Sequence, residues 1–231
     1  MFFPERITMI RPGDKVLEIG PGADPHPRSD VLLEMEFTDP VEYRKQFGHE
    51  RPLATDKELV LYDGHTFPFE DGAFDYVICS HVVEHVPDVD HFVREIFRVG
   101  RRGYFEYPLC YYEYLYNFDV HLNYVKFNNG VLYHMKKTDT PLEHFRPVQE
   151  FFAASLAKGY SRTLNDMLTY FMEGFEWDAP FPIRHATHLG MVCHSSNELP
   201  PLRLQERPLH THGPKRLLRE LFRSIRLRGS Y

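Results

Sequence analysis

Val16-Leu17-Glu18-Ile19-Gly20-Pro21-Gly22 reads as a buried strand that runs straight into a Gly-x-Gly turn. Glycines at that place let the backbone turn tightly and come close to a ligand. The same pattern also serves as a plain strand-to-loop turn, so its meaning depends on the strands and acids downstream of it. Short apolar runs ended by turn residues come next. Val31–Leu33 closes at Glu34, and Glu58–Tyr62 closes at Asp63-Gly64. Tyr76–Cys79 comes after the turn Glu70-Asp71-Gly72, and Tyr104–Glu106 precedes Pro108. Between the last two, Asp88–Val99 has Val89, Phe92, Val93, Ile96 and Phe97 at helical spacing, with Gly100 as the stop. Strands joined by crossovers predict an α/β domain with a mostly parallel sheet and helices on its faces.

Beyond residue 108 the pattern changes. Leu122–Phe127 and Val131–Lys136 flank Asn128-Asn129-Gly130, which predicts an inserted β-hairpin. Pro147–Gly174 is expected to be mainly helical, with a break at Gly159. Phe175–Trp177 and His188–His194 are the candidates for final strands. Pro200–Pro214, rich in proline and histidine, reads as a linker. Lys215–Arg228 then places Leu217, Leu218, Leu221, Phe222 and Ile225 on one face among arginines, an amphipathic basic helix. The expected division is a domain over 1–199, with the hairpin at 122–136, followed by a linker and tail over 200–231.

The 231 residues suffice for one α/β core with additions. Cys79, Cys110 and Cys193 are odd in number and far apart, with no CxxC cassette, which argues against structural zinc or a disulfide framework. Those thiols suit a reducing compartment, and no run approaches membrane-spanning length, so a cytoplasmic location is expected. The net charge is −6, yet residues 203–231 carry eight Lys/Arg against two Glu. An acidic body argues against a broad nucleic-acid surface. The basic tail suits either contact with the inner membrane face or docking on its own domain.

Later acids strengthen the glycine turn. A carboxylate at Glu34 can accept hydrogen bonds from both hydroxyls of a ribose, and Asp63 can accept from an adenine amino group beside Gly64. Then come Phe67-Pro68-Phe69-Glu70-Asp71-Gly72-Ala73-Phe74-Asp75-Tyr76-Val77 and Ser80-His81-Val82-Val83-Glu84-His85-Val86. In order, VLEIGPG, the acid of the second strand, YDG, FPFEDGAFDYVICSHVVEHV and GYFEYP resemble the class I S-adenosylmethionine-dependent methyltransferases. The FPFEDGAFDYV…EHV stretch resembles the branch acting on small molecules, quinone-biosynthesis enzymes included. The resemblance covers about residues 14–108 and implies a Rossmann-like sheet with S-adenosylmethionine as cofactor.

The resemblance implies roles position by position. Gly20, Pro21 and Gly22 would line the methionine and ribose part of the cofactor, with Glu18 near its amino group. Glu34 would bind the ribose. Asp63, Gly64 and His65 would flank the adenine, and Ser80 and His81 would lie beside the methionine moiety. Two departures stand out. Asp24, followed by Pro25, occupies the place of a third glycine, which also weakens a nicotinamide-dehydrogenase reading. Only Pro21–Asp30 separates the first two strands, and its prolines restrict a helix, so the first crossover helix is expected to shrink to a turn. That leaves Glu36 as the alternative to Glu34 at the ribose.

His81, Glu84 and His85 stand at i, i+3 and i+4 and would share a face if helical. Either histidine can remove a proton from an acceptor hydroxyl, and both are candidate catalytic residues. The resembled quinone O-methyltransferases can hold a divalent cation in this loop, but His81 stands where their first acid would be. A structural role for Glu84 and His85 is therefore preferred, no metal ligand is assigned, and the need for a divalent cation stays open. Tyr104, Tyr107, Tyr111, Tyr112, Tyr114, Tyr116, Phe118, Tyr124 and Tyr133 cluster after the fifth strand. Most are expected to pack the insertion, and two or three to meet an acceptor. The expected activity is methyl transfer to a hydroxyl of a saccharide or other small molecule. A non-catalytic binding module of the same fold and another nucleotide-dependent enzyme are the alternatives. The motifs do not encode the acceptor, the pathway or the oligomeric state.

Overall fold

The computed structural model describes residues 1–36, 55–156 and 167–194. All of them fall in one compact unit, Met1–Pro200. The linker and amphipathic helix expected over 200–231 lie outside the described residues, as does Gly159.

The central sheet has six strands: β1 (Val16–Ile19), β2 (Val31–Met35), β3 (Glu58–Tyr62), β4 (Tyr76–Ser80), β5 (Gly103–Pro108) and β8 (Met172–Trp177). Their order is β3-β2-β1-β4-β5-β8. All neighbours are parallel except β8, which runs antiparallel along the whole of β5. This is the expected Rossmann-like sheet. Its order reverses between β1 and β4, and in such sheets ligands bind beyond the carboxyl ends of the strands at that switch.

Strand alternation divides the core. Leu17 and Ile19 of β1, Val77 and Cys79 of β4, and Phe105 and Tyr107 of β5 face the helix α1 (Val89–Val99). Val89, Phe92, Val93 and Ile96 of that helix are buried against them. Asp88 caps it by accepting from the His91 amide at 2.9 Å, which satisfies one donor of the first turn. Inside this helix Glu95 is buried. It accepts from the Phe67 amide at 2.8 Å and pairs with Arg98 at 2.7 Å, and Arg98 in turn donates to the Phe67 and Phe69 carbonyls. The FPFEDG turn is thus clipped to the helix. On the opposite face Val16, Tyr76, Ile78 and Tyr104 pack against Ile7, Met9 and Ile10 of the N-terminal segment.

The crossover from β1 to β2 contains no helix, as expected. Polar clips replace it. Glu18 accepts from the His26 amide at 2.7 Å and the Ser29 hydroxyl at 2.6 Å. From the other side Lys57 Nζ donates to the His26 and Pro27 carbonyls at 3.1 Å and also to Ser29. Ten residues can therefore return the chain to a parallel neighbour because their carbonyls have fixed partners.

The hairpin pairs β6 (Asn123–Asn128) with β7 (Val131–Lys136) in antiparallel register around Asn129-Gly130. Both turn residues have positive φ, 49° and 75°, the backbone that a two-residue turn demands. The hairpin gains a third, parallel strand, β9 (Ile183–His185), too short for its periodicity to show in the sequence. The helices α2 (Cys110–Tyr116), α3 (Arg146–Ser155) and α4 (Leu168–Phe171) complete the described elements.

Two expectations need correction. Met172–Gly174 is strand rather than helix, because β8 pairs with β5 as far as Pro108 opposite Met172. His188–His194 is not a strand. The pairing to β7 ends where the Ala186 amide donates to the His134 carbonyl, and the chain then closes its own short turns over Leu189–Met191.

Candidate functional site

The carboxyl ends of β1, β2, β3 and β4 bring the expected residues to one edge of the sheet. Gly20 follows β1 with φ +59°, and Gly22 follows with φ +63°. They do different work. A Cβ on Gly20 would come within 2.5 Å of Val82 Cγ2, whereas one on Gly22 would meet nothing within 4 Å. Gly20 therefore serves the packing of the loop after β4, and Gly22 leaves an open cradle of backbone. Gly20→Ala is expected to cost about 1–2 kcal/mol for its backbone and about 1–3 kcal/mol for overpacking. Gly22→Ala is expected to show only the first of these in chemical denaturation, but to weaken binding in the cradle.

Glu34 lies near the end of β2, half-buried, and accepts from the Met35 amide at 2.9 Å. Burial pushes its carboxyl up to about 7. Glu36, the alternative, is exposed just past the strand. Asp63 is exposed after β3 and accepts from the His65 amide at 2.9 Å, forming a turn around Gly64, whose φ is +87°. His65 is exposed and its carbonyl accepts from His91 at 3.1 Å. Glu18 is buried beside the turn, and burial raises its pKa. One of its oxygens is committed to His26 and Ser29, so it shapes the return of the chain from β1 to β2.

Ser80 and His81 end β4, and here the structure adds a residue that sequence reasoning missed. Glu106 on β5 is fully buried, opposite Ser80 in the parallel register. Its carboxylate accepts from Phe2 N at 2.6 Å, Phe3 N at 3.0 Å, Ser80 Oγ at 3.0 Å, Tyr104 OH at 2.7 Å and His81 Nε2 at 3.0 Å. Burial opposes its charge, yet His81 and these donors hold it down at about 2. An acid alone among the apolar residues of GYFEYP is the signal that could have found it.

His81 adopts a left-handed φ of 57°, an uncommon backbone for a residue with a Cβ. Its Nε2 donates to Glu106, and its Nδ1 stands 3.3 Å from Glu84 Oε1. Burial disfavours the charged ring, but the two carboxylates outweigh it and raise the pKa. His81 through Val86 does not form the helix that its spacing allowed. It is a loop with a turn in which the His85 amide donates to the Val82 carbonyl at 2.9 Å.

That loop is fastened to the insertion. The Leu122 and Asn123 amides donate to the Glu84 carbonyl at 2.7 and 3.0 Å, and Asn123 Nδ2 donates to the Val86 carbonyl at 2.8 Å. His121 is thereby set against His85, with ring centroids 4.6 Å apart. Glu113 of α2, fully buried, accepts from His121 Nδ1 and from Lys137 Nζ, the latter at 2.7 Å. His121 and Glu113 were not singled out in the sequence.

Of the aromatic run, Tyr104, Tyr107, Tyr116 and Tyr124 are buried. Tyr107 OH donates to Glu173 at 2.6 Å and accepts from the Phe127 amide at 2.7 Å, joining the sheet to the hairpin. Tyr112, Tyr116 and Phe118 pack on one another. Tyr114 is exposed.

Residues 35–105, which span β2 to β5, match the protein family described as methyltransferase domain. The residues present fit the S-adenosylmethionine that the sequence resemblance implies. Gly22 offers open backbone, and Glu34 holds a carboxylate at the strand end where a ribose diol would reach it. Solved structures similar to this chain include the YcgJ protein of Bacillus subtilis, 22% identical over 44% of this chain and 47% of that one, with a TM-score of 0.32. An S-adenosylmethionine-dependent methyltransferase of Mesorhizobium loti is 16% identical over 45% and 49%, at a TM-score of 0.31. One from Methanosarcina mazei is 16% identical over 42% and 53%, at 0.29. The chain thus spans about half the length of these proteins. The comparison with curated proteins returned no match.

Proposed function

We propose that this methyltransferase domain transfers a methyl group from S-adenosylmethionine to a hydroxyl oxygen of a small-molecule or saccharide acceptor. The observation that carries the reading is the open Gly22 cradle at the strand-order switch, with Glu34 near the end of the adjoining strand β2. The cofactor supplies the methyl as an electrophile on a sulfonium. The chain's own residues have to bind, align the acceptor oxygen for in-line attack, and exclude water.

Of the two candidate proton acceptors, geometry favours His85. Both ring nitrogens of His81 face carboxylates, so it has no lone pair to offer. His85 Nδ1 donates to the Val120 carbonyl at 2.9 Å, which leaves Nε2 as the accepting atom. His85 Nε2 would take the proton of an acceptor hydroxyl that attacks the methyl carbon, with the demethylated nucleoside as the leaving group.

Calorimetry should show saturable binding of S-adenosylmethionine and of S-adenosylhomocysteine, and none of NAD. Incubation with methyl-labelled cofactor in native cell extract should then yield a labelled small molecule. Binding without any labelled product would favour the non-catalytic module, and micromolar NAD binding alone would overturn the proposal.

Among the described residues no helix is long and apolar enough to cross a membrane. Peripheral contact through residues 215–228 is part of the proposal and rests on their sequence. Removing residues 203–231 is expected to leave cofactor binding unchanged, because every matched motif precedes residue 109. It should reduce sedimentation with anionic vesicles at low salt, with each basic residue near the surface contributing about 1 kcal/mol. A full-length protein that never sediments would exclude the membrane role.

A further inference from the structure

Glu84, His85 and His121 place one ligand atom each within 4.8 Å of one another. Two features separate this cluster from a chance meeting of polar side chains. First, Glu84 is 1% exposed, and neither of its oxygens accepts a hydrogen bond in the described structure. The His81 and His85 rings stand at 3.3 and 3.8 Å from Oε1. The neighbouring imidazoles, His81 first, hold this carboxylate ionised, and coordination would satisfy the oxygens that accept no hydrogen bond. Second, both histidines are already oriented as metal ligands are. A ligating histidine almost always donates its other ring N–H to a carboxylate or a carbonyl. His85 Nδ1 donates to the Val120 carbonyl, and His121 Nδ1 donates to Glu113, whose second oxygen is neutralised by Lys137. The tautomer is therefore set in both rings, with Nε2 carrying the lone pair.

We infer that Glu84, His85 and His121 form a binding site for one divalent transition-metal ion. Two imidazoles and one carboxylate suit zinc and its neighbours, and are poor for magnesium or calcium, which prefer oxygen ligands throughout. Three protein ligands leave a further position for water or for an oxygen of a bound molecule. Of the three, His121 also lines a cleft of about 220 Å³ with Pro87, Asn117, Asp119, Leu122 and Lys137. His81 stands outside this cluster, its Nε2 engaged by Glu106.

The binding claim stands apart from the methyl-transfer reading. One consequence rests on that reading: the ion and a proton compete for His85 Nε2, and a hydroxyl coordinated to such an ion becomes more acidic, so the ion would supply the activation otherwise given by the base.

The test uses the full chain, stripped with a chelator and titrated with Zn2+ by calorimetry. One equivalent is expected to bind with saturation, and Mg2+ is expected to give no saturable signal. Co2+ in the same sample should produce the intense visible absorption of a low-coordinate site. Glu113→Gln, which removes the carboxylate that His121 and Lys137 share, is expected to weaken Zn2+ binding about 10- to 100-fold. His121→Ala and Glu84→Gln should weaken it further, and His188→Ala, an exposed histidine elsewhere, should leave it unchanged. Circular dichroism of each variant before metal is added establishes that it is folded, and His121→Asn replaces His121→Ala if the latter is not. Titrating S-adenosylhomocysteine into the same samples reads the cofactor site separately, so the two proposals can fail independently. Absence of saturable Zn2+ binding, or binding undiminished in folded His121 and Glu113 variants, would overturn the inference.

Discussion

Replacing Glu106 by alanine is expected to cost about 3–5 kcal/mol of stability, the range for removing one partner of a buried ionic cluster. The alanine would leave His81 without its carboxylate, and would leave the Phe2 and Phe3 amides, Ser80 Oγ and Tyr104 OH without their acceptor. Those groups come from the N-terminal segment and from β4 and β5, so the loss would loosen the edge of the sheet that holds the proposed cofactor site. Urea denaturation of the wild type and the variant measures it. Glu106→Gln should fall between them, since an amide keeps one acceptor oxygen but cannot balance the imidazolium. The pH dependence has a definite sign. The folded carboxyl is held at about 2, below its ordinary value of 4.5. Its contribution is therefore present above pH 4.5 and lost as pH falls through about 2. A variant as stable as the wild type would show that the N-terminal segment and His81 find other partners.

Glu34→Gln is expected to weaken binding of S-adenosylhomocysteine by roughly 10- to 100-fold, because hydrogen bonds to a charged acceptor contribute about 1.5–3 kcal/mol. Glu36→Gln should change it little, since Glu36 is exposed beyond the strand. Burial holds the Glu34 carboxyl at about 7, so it is only partly ionised near neutrality. In the proposed site the ionised form would accept both ribose hydroxyls. Affinity should therefore tighten from about pH 6 to about pH 8 in the wild type and stay flat in the glutamine variant. In the free protein the sign is opposite. A raised carboxyl pKa favours the folded state most below 4.5, and that contribution is lost as pH rises through about 7. Calorimetry across this range, with a denaturation series beside it, checks both. Equal losses at Glu34 and Glu36 would mean that the ribose lies elsewhere.

Much of the frame was legible in local chemistry. The apolar run Val16–Ile19 before Gly20, the spacing of Val89, Phe92, Val93 and Ile96, and Asn129-Gly130 each specify a strand, a helix face and a turn from neighbouring residues alone. The short, proline-bearing link from Pro21 to Asp30 excluded a crossover helix by length and φ restriction. Spacing misled at His81–His85, where the residues meet without a helix, because hydrogen bonds from Leu122 and Asn123 hold the loop in another shape.

What residues 14–108 determined by themselves is the parallel sheet, its glycine turn and the acid at the end of β2, all set by backbone propensity and by alternation within a few positions. Only the tertiary structure decided which charges meet. Glu106 reaches Phe2 and Phe3 more than a hundred positions away, and His121 reaches His85 across the insertion. No local pattern encodes such pairs. They exist because the β4–β5 register sets Ser80 opposite Glu106, and because the start of β6 is hydrogen-bonded to the loop after β4. A buried carboxylate then takes whatever donors that packing delivers, since leaving it unpaired in a low-dielectric interior costs more than ordering them.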